Sequence, residues 1–242
     1  MNLANRRLPV LATVAAVLAL AGCTLGPSPV PTPTPDAADS ATASPTPTAQ
    51  PDPLTTVTEI VVRPEQLELH DAQGVQVATL SYDAEASAFI GALSTVLGAA
   101  PEQSEYTASM ETPARTEYTW EGVHASDDHE EVISPNGLGG YGPFDMNVSV
   151  MFTAPTVGDG VAVRTVNGYR PGGDAQALAA ELGEPWYGNG NDQVRVETGE
   201  PIGEQQPYND YENAYSVAVN TWEWHGASNS IFAPWNFGIG HV

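Results

Sequence analysis

The amino-acid sequence predicts an α+β fold made of two tandem related units, each a short helix packed on an antiparallel sheet. Strand-like alternation and turn residues surround a single amphipathic helical run in each half of the region after residue 53. A set of short motifs also recurs, in the same order, in residues 54–143 and 144–242. The region 54–242 is long enough for two small units that pack as one body.

The first unit opens with strand signals. Residues Thr58–Leu69 alternate in part between apolar and polar side chains, and Val75–Tyr82 follow after a turn at Gly74. Two such runs separated by a glycine turn predict a β-hairpin.

A helix is predicted next, over residues 84–97. Asp83 is placed to cap it, and Gly98 is placed to end it in the left-handed conformation. The apolar residues recur at helical spacing and form one face. They are Phe89, Ile90, Leu93, Val96 and Leu97.

The second unit repeats this scheme. Strands are predicted over Met146–Thr153 and Gly160–Val166, and a shorter helix over Ala175–Leu182. Asp174 is the predicted cap of that helix and Gly183 its stop.

A strand that contains Thr-Trp-Glu follows in each unit, within Arg115–Glu121 and Ala214–Trp224. The recurrence of Trp120 and Trp222 predicts that both are core residues. The offset between matched residues rises from 85 at the Leu-Gly helix ends to 102 at Thr-Trp-Glu, so the second unit has 17 extra residues. We place them in an inserted aromatic and acidic loop at about residues 186–212.

The stretch from Gly173-Asp174 to Leu182-Gly183-Glu184-Pro185 supports a family resemblance. A helix that runs into Leu-Gly-x-Pro, followed by a loop and an aromatic strand, resembles the module of the beta-lactamase inhibitor protein and of small outer-membrane assembly lipoproteins. In the first unit an extra residue separates Gly98 from Pro101, and neither unit begins with the paired helices of that module. The resemblance implies a helix on a sheet and assigns no activity.

The N-terminal residues resemble a bacterial lipoprotein signal peptide. Arg6 and Arg7 precede an apolar run that ends in Leu20-Ala21-Gly22-Cys23, which contains the single cysteine of the chain. We expect residues 1–22 to be removed and Cys23 to carry the lipid, such as palmitate. This predicts a chain anchored in the cell membrane on its extracytoplasmic face. Both the general secretory and the twin-arginine export routes remain open.

Residues 23–53 join this cysteine to the folded region. The stretch from Thr24 to Pro53 holds nine prolines among Thr, Ser, Ala and Asp. It predicts a disordered or polyproline II tether, which at about 3.1 Å per residue reaches on the order of 90 Å. With its lipobox and tether, the whole chain resembles the uncharacterised lipoproteins of high-GC Gram-positive (actinobacterial) type.

The composition excludes several function classes. The chain has no lysine, so it can form no Schiff base, P-loop or Ser-Lys dyad. Without Arg6 and Arg7, five basic side chains stand against 30 acidic ones, which disfavours nucleic acid as a partner. Neither Gly-x-Ser-x-Gly nor His-Glu-x-x-His occurs. We therefore expect no catalysis and no cofactor.

One dense polar cluster offers metal ligands. Imidazole and carboxylate groups at close spacing can bind zinc or another divalent ion. We interpret this cluster as a solvated loop without metal, because no equivalent follows Trp222. An envelope enzyme or a divalent-metal-dependent factor that uses residues 124–131 is the alternative function. The candidate ligands are His124, Asp127, Asp128 and His129.

Aromatic residues of the inserted loop and the C-terminus are the candidates for ligand binding, since exposed aromatics mark recognition surfaces. The favoured function is a lipid-anchored, non-catalytic binding or structural module of the cell envelope. Its partners would be the membrane, through the lipid, and an envelope protein, peptide or glycan. The candidate binding residues are Trp186, Tyr187, Tyr208, Tyr211, Trp224 and Trp235.

Overall fold

A computed structural model of the protein describes five stretches of the chain between residues 49 and 242. The described residues are 52–107, 114–127, 146–205, 209–223 and 225–238. The predicted signal peptide and most of the predicted tether lie outside these ranges, as do five candidate residues: Cys23, Asp128, His129, Tyr208 and Trp224. Within the ranges, no helix is long and apolar enough to cross a membrane.

The described chain begins with a 3₁₀ turn at Pro53–Thr56 and continues mostly as strands, with two helices. Their bounds are β1 Val57–Val62, β2 Gln66–Asp71, β3 Gln76–Ser81, α1 Ala86–Leu97, β4 Glu102–Tyr106, β5 Arg115–Trp120, β6 Val123–Asp127, β7 Val148–Phe152, β8 Thr156–Val157, β9 Val161–Thr165, α2 Ala175–Leu182, β10 Gln193–Pro201, β11 Ala214–Asn220 and β12 Ser230–Trp235.

These strands form two sheets. The five-stranded sheet has the order β3-β2-β1-β9-β8, and its β1–β9 pair is parallel while the other pairs are antiparallel. The seven-stranded sheet has the order β10-β11-β12-β7-β6-β5-β4 and is antiparallel throughout. The predicted α+β class is confirmed.

The two halves of the sequence are interleaved rather than laid side by side. β1 and β7 open the two halves, yet β1 lies in the five-stranded sheet and β7 at the centre of the seven-stranded one. Each sheet takes strands from both sides of residue 143. The prediction of two tandem units is therefore not confirmed by the sheet topology.

Both helices form where the sequence predicts, with one error at a cap. Asp174 caps α2 by accepting a hydrogen bond from the Ala177 backbone N–H at 2.9 Å. Gly98 ends α1 at φ 69°, and Gly183 ends α2 at φ 72°, both in the left-handed conformation. At the start of α1, however, Glu85 occupies the N-cap position and makes no side-chain capping bond, so the prediction of Asp83 as the cap is wrong.

The strand predictions missed several elements. The run 58–69 forms two strands, because the chain turns between Arg63 and Gln66, whose backbone N–H and C=O are hydrogen-bonded at 3.0 Å. The predicted insertion at 186–212 contains β10, which pairs with β11. Trp120 is buried in the core as predicted. Trp222 is half-buried and lies outside the core cluster, so its prediction as a core residue is wrong.

A single hydrophobic core joins both sheets and both helices. Side chains alternate between the two faces of a strand, so the central strands of the seven-stranded sheet turn one set of residues to this core, whereas the edge strand β4 is exposed along its length. Val123 and Ala125 of β6 face it, as do Val150 and Phe152 of β7. The residues between them, such as His124, lie on the opposite face, which we call the second face.

Candidate functional site

A cleft of about 470 Å³ opens beside the start of α2. Three segments line it: the first residues of α2, the loop that follows α2, and the connection between β11 and β12. The polar and aromatic lining residues are Asp174, Gln176, Trp186, Asp192, Thr221 and Asn229.

Asp192 holds the loop that forms one wall of this cleft. Its carboxylate accepts hydrogen bonds from the backbone N–H groups of Tyr187, at 2.7 Å, and Gly188, at 3.1 Å. Its backbone carbonyl accepts two more, from the N–H and the hydroxyl of Thr221, at 2.9 and 3.0 Å. Asp192 is 3% exposed, so one buried residue ties the loop after α2 to the end of β11.

Asn229 fixes the other end of the β11–β12 connection. Its side-chain amide donates a hydrogen bond to the Gly173 carbonyl at 3.0 Å. Its backbone carbonyl accepts from the Gly172 N–H at 3.1 Å and from the Tyr169 hydroxyl at 3.3 Å. Burial raises the pKa of Tyr169, and the Asp174 carboxylate adds to this, so the phenol stays protonated as a donor. The cleft walls are therefore held by hydrogen bonds.

Two of the six predicted binding residues belong to this cleft region. Trp186 lines the cleft and packs partly against the core. Tyr187 follows it and is 78% exposed, far more than an aromatic side chain in a core. An aromatic wall with a second, exposed ring next to it is suited to stacking on a ligand.

Two other predicted residues pack elsewhere. Tyr211 lies 4.6 Å from the Arg195 guanidinium, and its hydroxyl donates to Glu184 at 3.4 Å. Trp235 makes an edge contact with Phe232 at a centroid distance of 5.5 Å. These contacts give both residues packing roles, and neither lines the cleft. Tyr208 and Trp224 are outside the described residues.

The second face of the seven-stranded sheet carries a compact polar cluster. Glu117 of β5 and His124 of β6 both project there, and His225 of the β11–β12 connection stacks on His124 with ring centroids 3.7 Å apart and an interplanar angle of 14°. The Glu117 Oε1 atom lies 3.6 Å from Nδ1 of His124 and 3.3 Å from Nε2 of His225. Among the residues that the structure describes, this is the one group of three such side chains whose ligand atoms lie within 4.8 Å of one another.

The surroundings of His124 favour its neutral form more than water would. Burial lowers the pKa of His124, the neighbouring His225 lowers it further, and the Glu117 carboxylate opposes both effects. A neutral imidazole has a lone pair free to accept a proton or a metal ion.

The structure separates the ligands predicted within residues 124–131. His124 lies on the second face, whereas Asp127 is 3% exposed and points to the opposite face, because the two are an odd number of residues apart on β6. Asp128 and His129 lie outside the described residues. Of the two predicted ligands that the structure describes, His124 belongs to the observed cluster and Asp127 does not.

Sequence reasoning missed Glu117 and His225. A signal for the second was present: Thr-Trp-Glu is followed by a histidine in both halves, at His124 and at His225, with spacings that differ by one residue. No comparable signal marked Glu117, because its relation to His124 arises from strand pairing, in which Glu117 faces Ser126 and Thr119 faces His124.

Comparisons with known proteins add no relative: no family model matches the chain, and no curated protein and no solved structure is found to be similar to it.

Proposed function

We propose that this chain is a lipid-anchored, extracytoplasmic binding module of a bacterial cell envelope that acts without catalysis. The observation that carries the binding role is the open cleft of about 470 Å³ with Trp186 in its wall and Tyr187 exposed beside it. Clefts of this size that combine an aromatic surface with a few polar groups are typical of ligand sites.

The hydrogen bonds of Asp192 and Asn229 support this role because they hold the walls of the cleft in place. A wall that is ordered before the ligand arrives loses little conformational entropy on binding. The loop after α2 is polar and rich in glycine, and a loop of that composition would otherwise sample many conformations. Asp192 accepts two hydrogen bonds from this loop and two from Thr221, so the loop is fixed against the end of β11.

The charge of the cleft favours a neutral glycan as the ligand. Asp174 and Asp192 are the charged groups among the described lining residues, and none of those residues is basic. An anionic polymer would meet repulsion here, and the net charge of −23 extends that repulsion beyond the cleft. A sugar ring can stack its apolar face on an aromatic ring, while side-chain amides such as those of Gln176 and Asn229 can accept hydrogen bonds from its hydroxyls or donate to them.

A binding experiment with the full chain tests this proposal. Tyr187→Ala should weaken retention on a neutral cell-wall glycan at least about tenfold, since Tyr and Trp are enriched among contact residues whose truncation costs about 2 kcal/mol or more. Trp186→Ala should do the same, with its fold checked by thermal melting because Trp186 also packs on the core. Tyr106→Ala is the matched control: Tyr106 is 44% exposed on β4, outside the cleft.

The proposal fails if the glycan is not retained, or if Tyr106→Ala and Tyr187→Ala bind it equally. Retention of a cationic peptide in preference to the glycan would replace the proposed ligand class while leaving the cleft as the site.

The anchor is proposed from the lipobox at Leu20–Cys23, and the Pro-rich residues that follow would space the folded unit from the membrane. Cys23→Ala should move the chain from the membrane fraction to the soluble fraction. Unchanged fractionation would refute the lipid anchor.

We also propose that the two halves derive from a duplication. Each half has a helix that ends at a left-handed glycine, followed by three antiparallel strands of the same sheet, β4-β5-β6 or β10-β11-β12. An experimental structure in which these two helix and three-strand segments do not superpose would refute this ancestry.

A further inference from the structure

We propose that Glu117, His124 and His225 form a binding site for one divalent transition-metal ion of the zinc class. The site lies on the second face of the seven-stranded sheet and is separate from the cleft, so its existence does not depend on the glycan.

The two distances from Glu117 are close to those around a small ion, and all three ligand atoms lie within 4.8 Å of one another. In a tetrahedral zinc site with ligands at 2.0–2.1 Å, the ligand atoms are about 3.3–3.4 Å apart. Glu117 Oε1 is already 3.3 Å from Nε2 of His225 and 3.6 Å from Nδ1 of His124. Two imidazole nitrogens and one carboxylate oxygen are a common ligand set for zinc, and they leave a fourth position for water or another ligand.

The burial of Glu117 gives the site a reason to attract a cation. This side chain is 6% exposed, and a carboxylate removed from water is costly unless a positive charge compensates it. Its described ion-pair partners are the two stacked histidines. A divalent ion held between the three groups would place positive charge directly beside this buried carboxylate.

One rearrangement accompanies binding. A metal ion lies in the plane of each imidazole that coordinates it, so two rings stacked at 14° cannot both point to one ion. His225 is the ring that turns, since its side chain is 27% exposed while that of His124 is 14% exposed. Its backbone already adopts φ 52°, a conformation that non-glycine residues rarely hold, and Gly226 follows at φ 76°.

The rest of the fold positions His225 over the sheet. The β11–β12 connection is pinned at Thr221, by Asp192, and at Asn229, by Gly173. His225 lies between these two fixed points, so it can turn while remaining above His124. Metal binding then ties the middle of this connection to β5 and β6.

Zinc titration of the full chain tests the site. Equilibrium dialysis against ZnCl₂ should give one tightly held zinc per chain. Glu117→Gln and His225→Asn should each weaken zinc binding at least about tenfold, because even partners outside the ligand set commonly contribute that much. Asparagine is chosen at residue 225 because it tolerates positive φ while removing the imidazole. Thermal melting without metal checks that both variants fold.

Two matched controls separate this site from other metal binding. His70→Gln removes a histidine that also lies beside a carboxylate, that of Glu68 at 3.5 Å, on the other sheet. His129→Ala removes the histidine of the acidic segment, which we define as residues 127–131 of the sequence. Both should keep wild-type zinc affinity, and a large excess of Mg²⁺ should leave the bound zinc in place, since Mg²⁺ prefers oxygen ligands.

Several results would overturn the proposal: no tightly held zinc in the wild type, undiminished binding by His225→Asn, loss of binding in His129→Ala, or displacement by Mg²⁺. The last two would assign metal binding to the acidic segment or to the acidic surface in general. Glycan retention is measured on the same variants, so that failure of the metal-site proposal can be distinguished from failure of the cleft proposal.

Discussion

Replacing Asp192 with asparagine is expected to loosen the loop that carries Trp186 and Tyr187. The carboxylate accepts the Tyr187 and Gly188 N–H groups at 2.7 and 3.1 Å. An asparagine side chain has one acceptor oxygen, so its amino group faces one of these donors and a buried hydrogen bond is lost. The bonds from Thr221 reach the backbone carbonyl and survive the change.

The size of the effect follows from the charge and burial of this residue. A hydrogen bond to a charged group contributes about 1.5–3 kcal/mol net, so Asp192→Asn should lower the free energy of unfolding by about 2 kcal/mol. Asp192→Ala removes both acceptors and should cost about 3–4 kcal/mol by the same reasoning. For a unit of this length, 1 kcal/mol corresponds to about 2–4 °C in Tm.

Urea denaturation and thermal melting of the full chain measure this, with Asn189→Ala as the matched control. Asn189 also accepts a loop N–H, that of Asn191 at 2.8 Å, but on an exposed surface where water can replace it. Its loss should stay within about 0.5 kcal/mol. If Asp192→Asn destabilises no more than Asn189→Ala, Asp192 does not hold the loop. The same variant should weaken retention of the glycan, because the wall of the cleft is no longer ordered in advance.

Two further predictions concern the stability of the folded unit. A Cβ on Gly158 would lie 2.5 Å from the Leu97 carbonyl oxygen, whereas one on Gly160 would meet open space, and both glycines have positive φ. In urea denaturation, Gly160→Ala should lower the free energy of unfolding by about 1–2 kcal/mol, because alanine is strained at positive φ. Gly158→Ala should lower it by about 1–3 kcal/mol more, because its Cβ also meets Leu97. Equal losses would contradict the close approach of Gly158 to Leu97. Burial raises the pKa of Tyr82 in the folded state above its value of about 10 in the unfolded chain. The protonated phenol therefore contributes its full stabilisation below about pH 10, and this stabilisation is lost as the pH rises through the folded-state pKa. Tyr82→Phe should therefore make the alkaline loss of stability shallower by up to about 1.4 kcal/mol per pH unit, and an unchanged slope would contradict this reasoning.

The helices were predictable because their signals are local. The cap of α2 at Asp174 and its stop at Gly183 lie within one turn of the residues that they affect. The start of α1 was less predictable: Asp83 has the chemistry of a cap, but the helix begins at Ala86, whose buried side chain belongs to the core. Packing decided between two local possibilities there.

Strand positions were partly predictable, and strand partners were not. Alternation located β5, β7, β9 and β11, since burial of one face imposes a period of two. The parallel pairing of β1 with β9 joins residues about a hundred positions apart, and no local pattern encodes it. The duplication signal favoured two tandem units, each with its own antiparallel sheet, whereas each observed sheet takes strands from both halves.

The sequence by itself determined the α+β class, both helix ends at left-handed glycines, and the presence of aromatic residues near residue 186, because each depends on residues close together in the chain. Tertiary structure alone decided which aromatics line the cleft and which are packed away, since that depends on contacts such as Arg195 with Tyr211. It also decided that Glu117 and His225 meet at His124. Those three residues come together through strand register and a pinned connection, and both are set by burial of the whole core rather than by any local pattern.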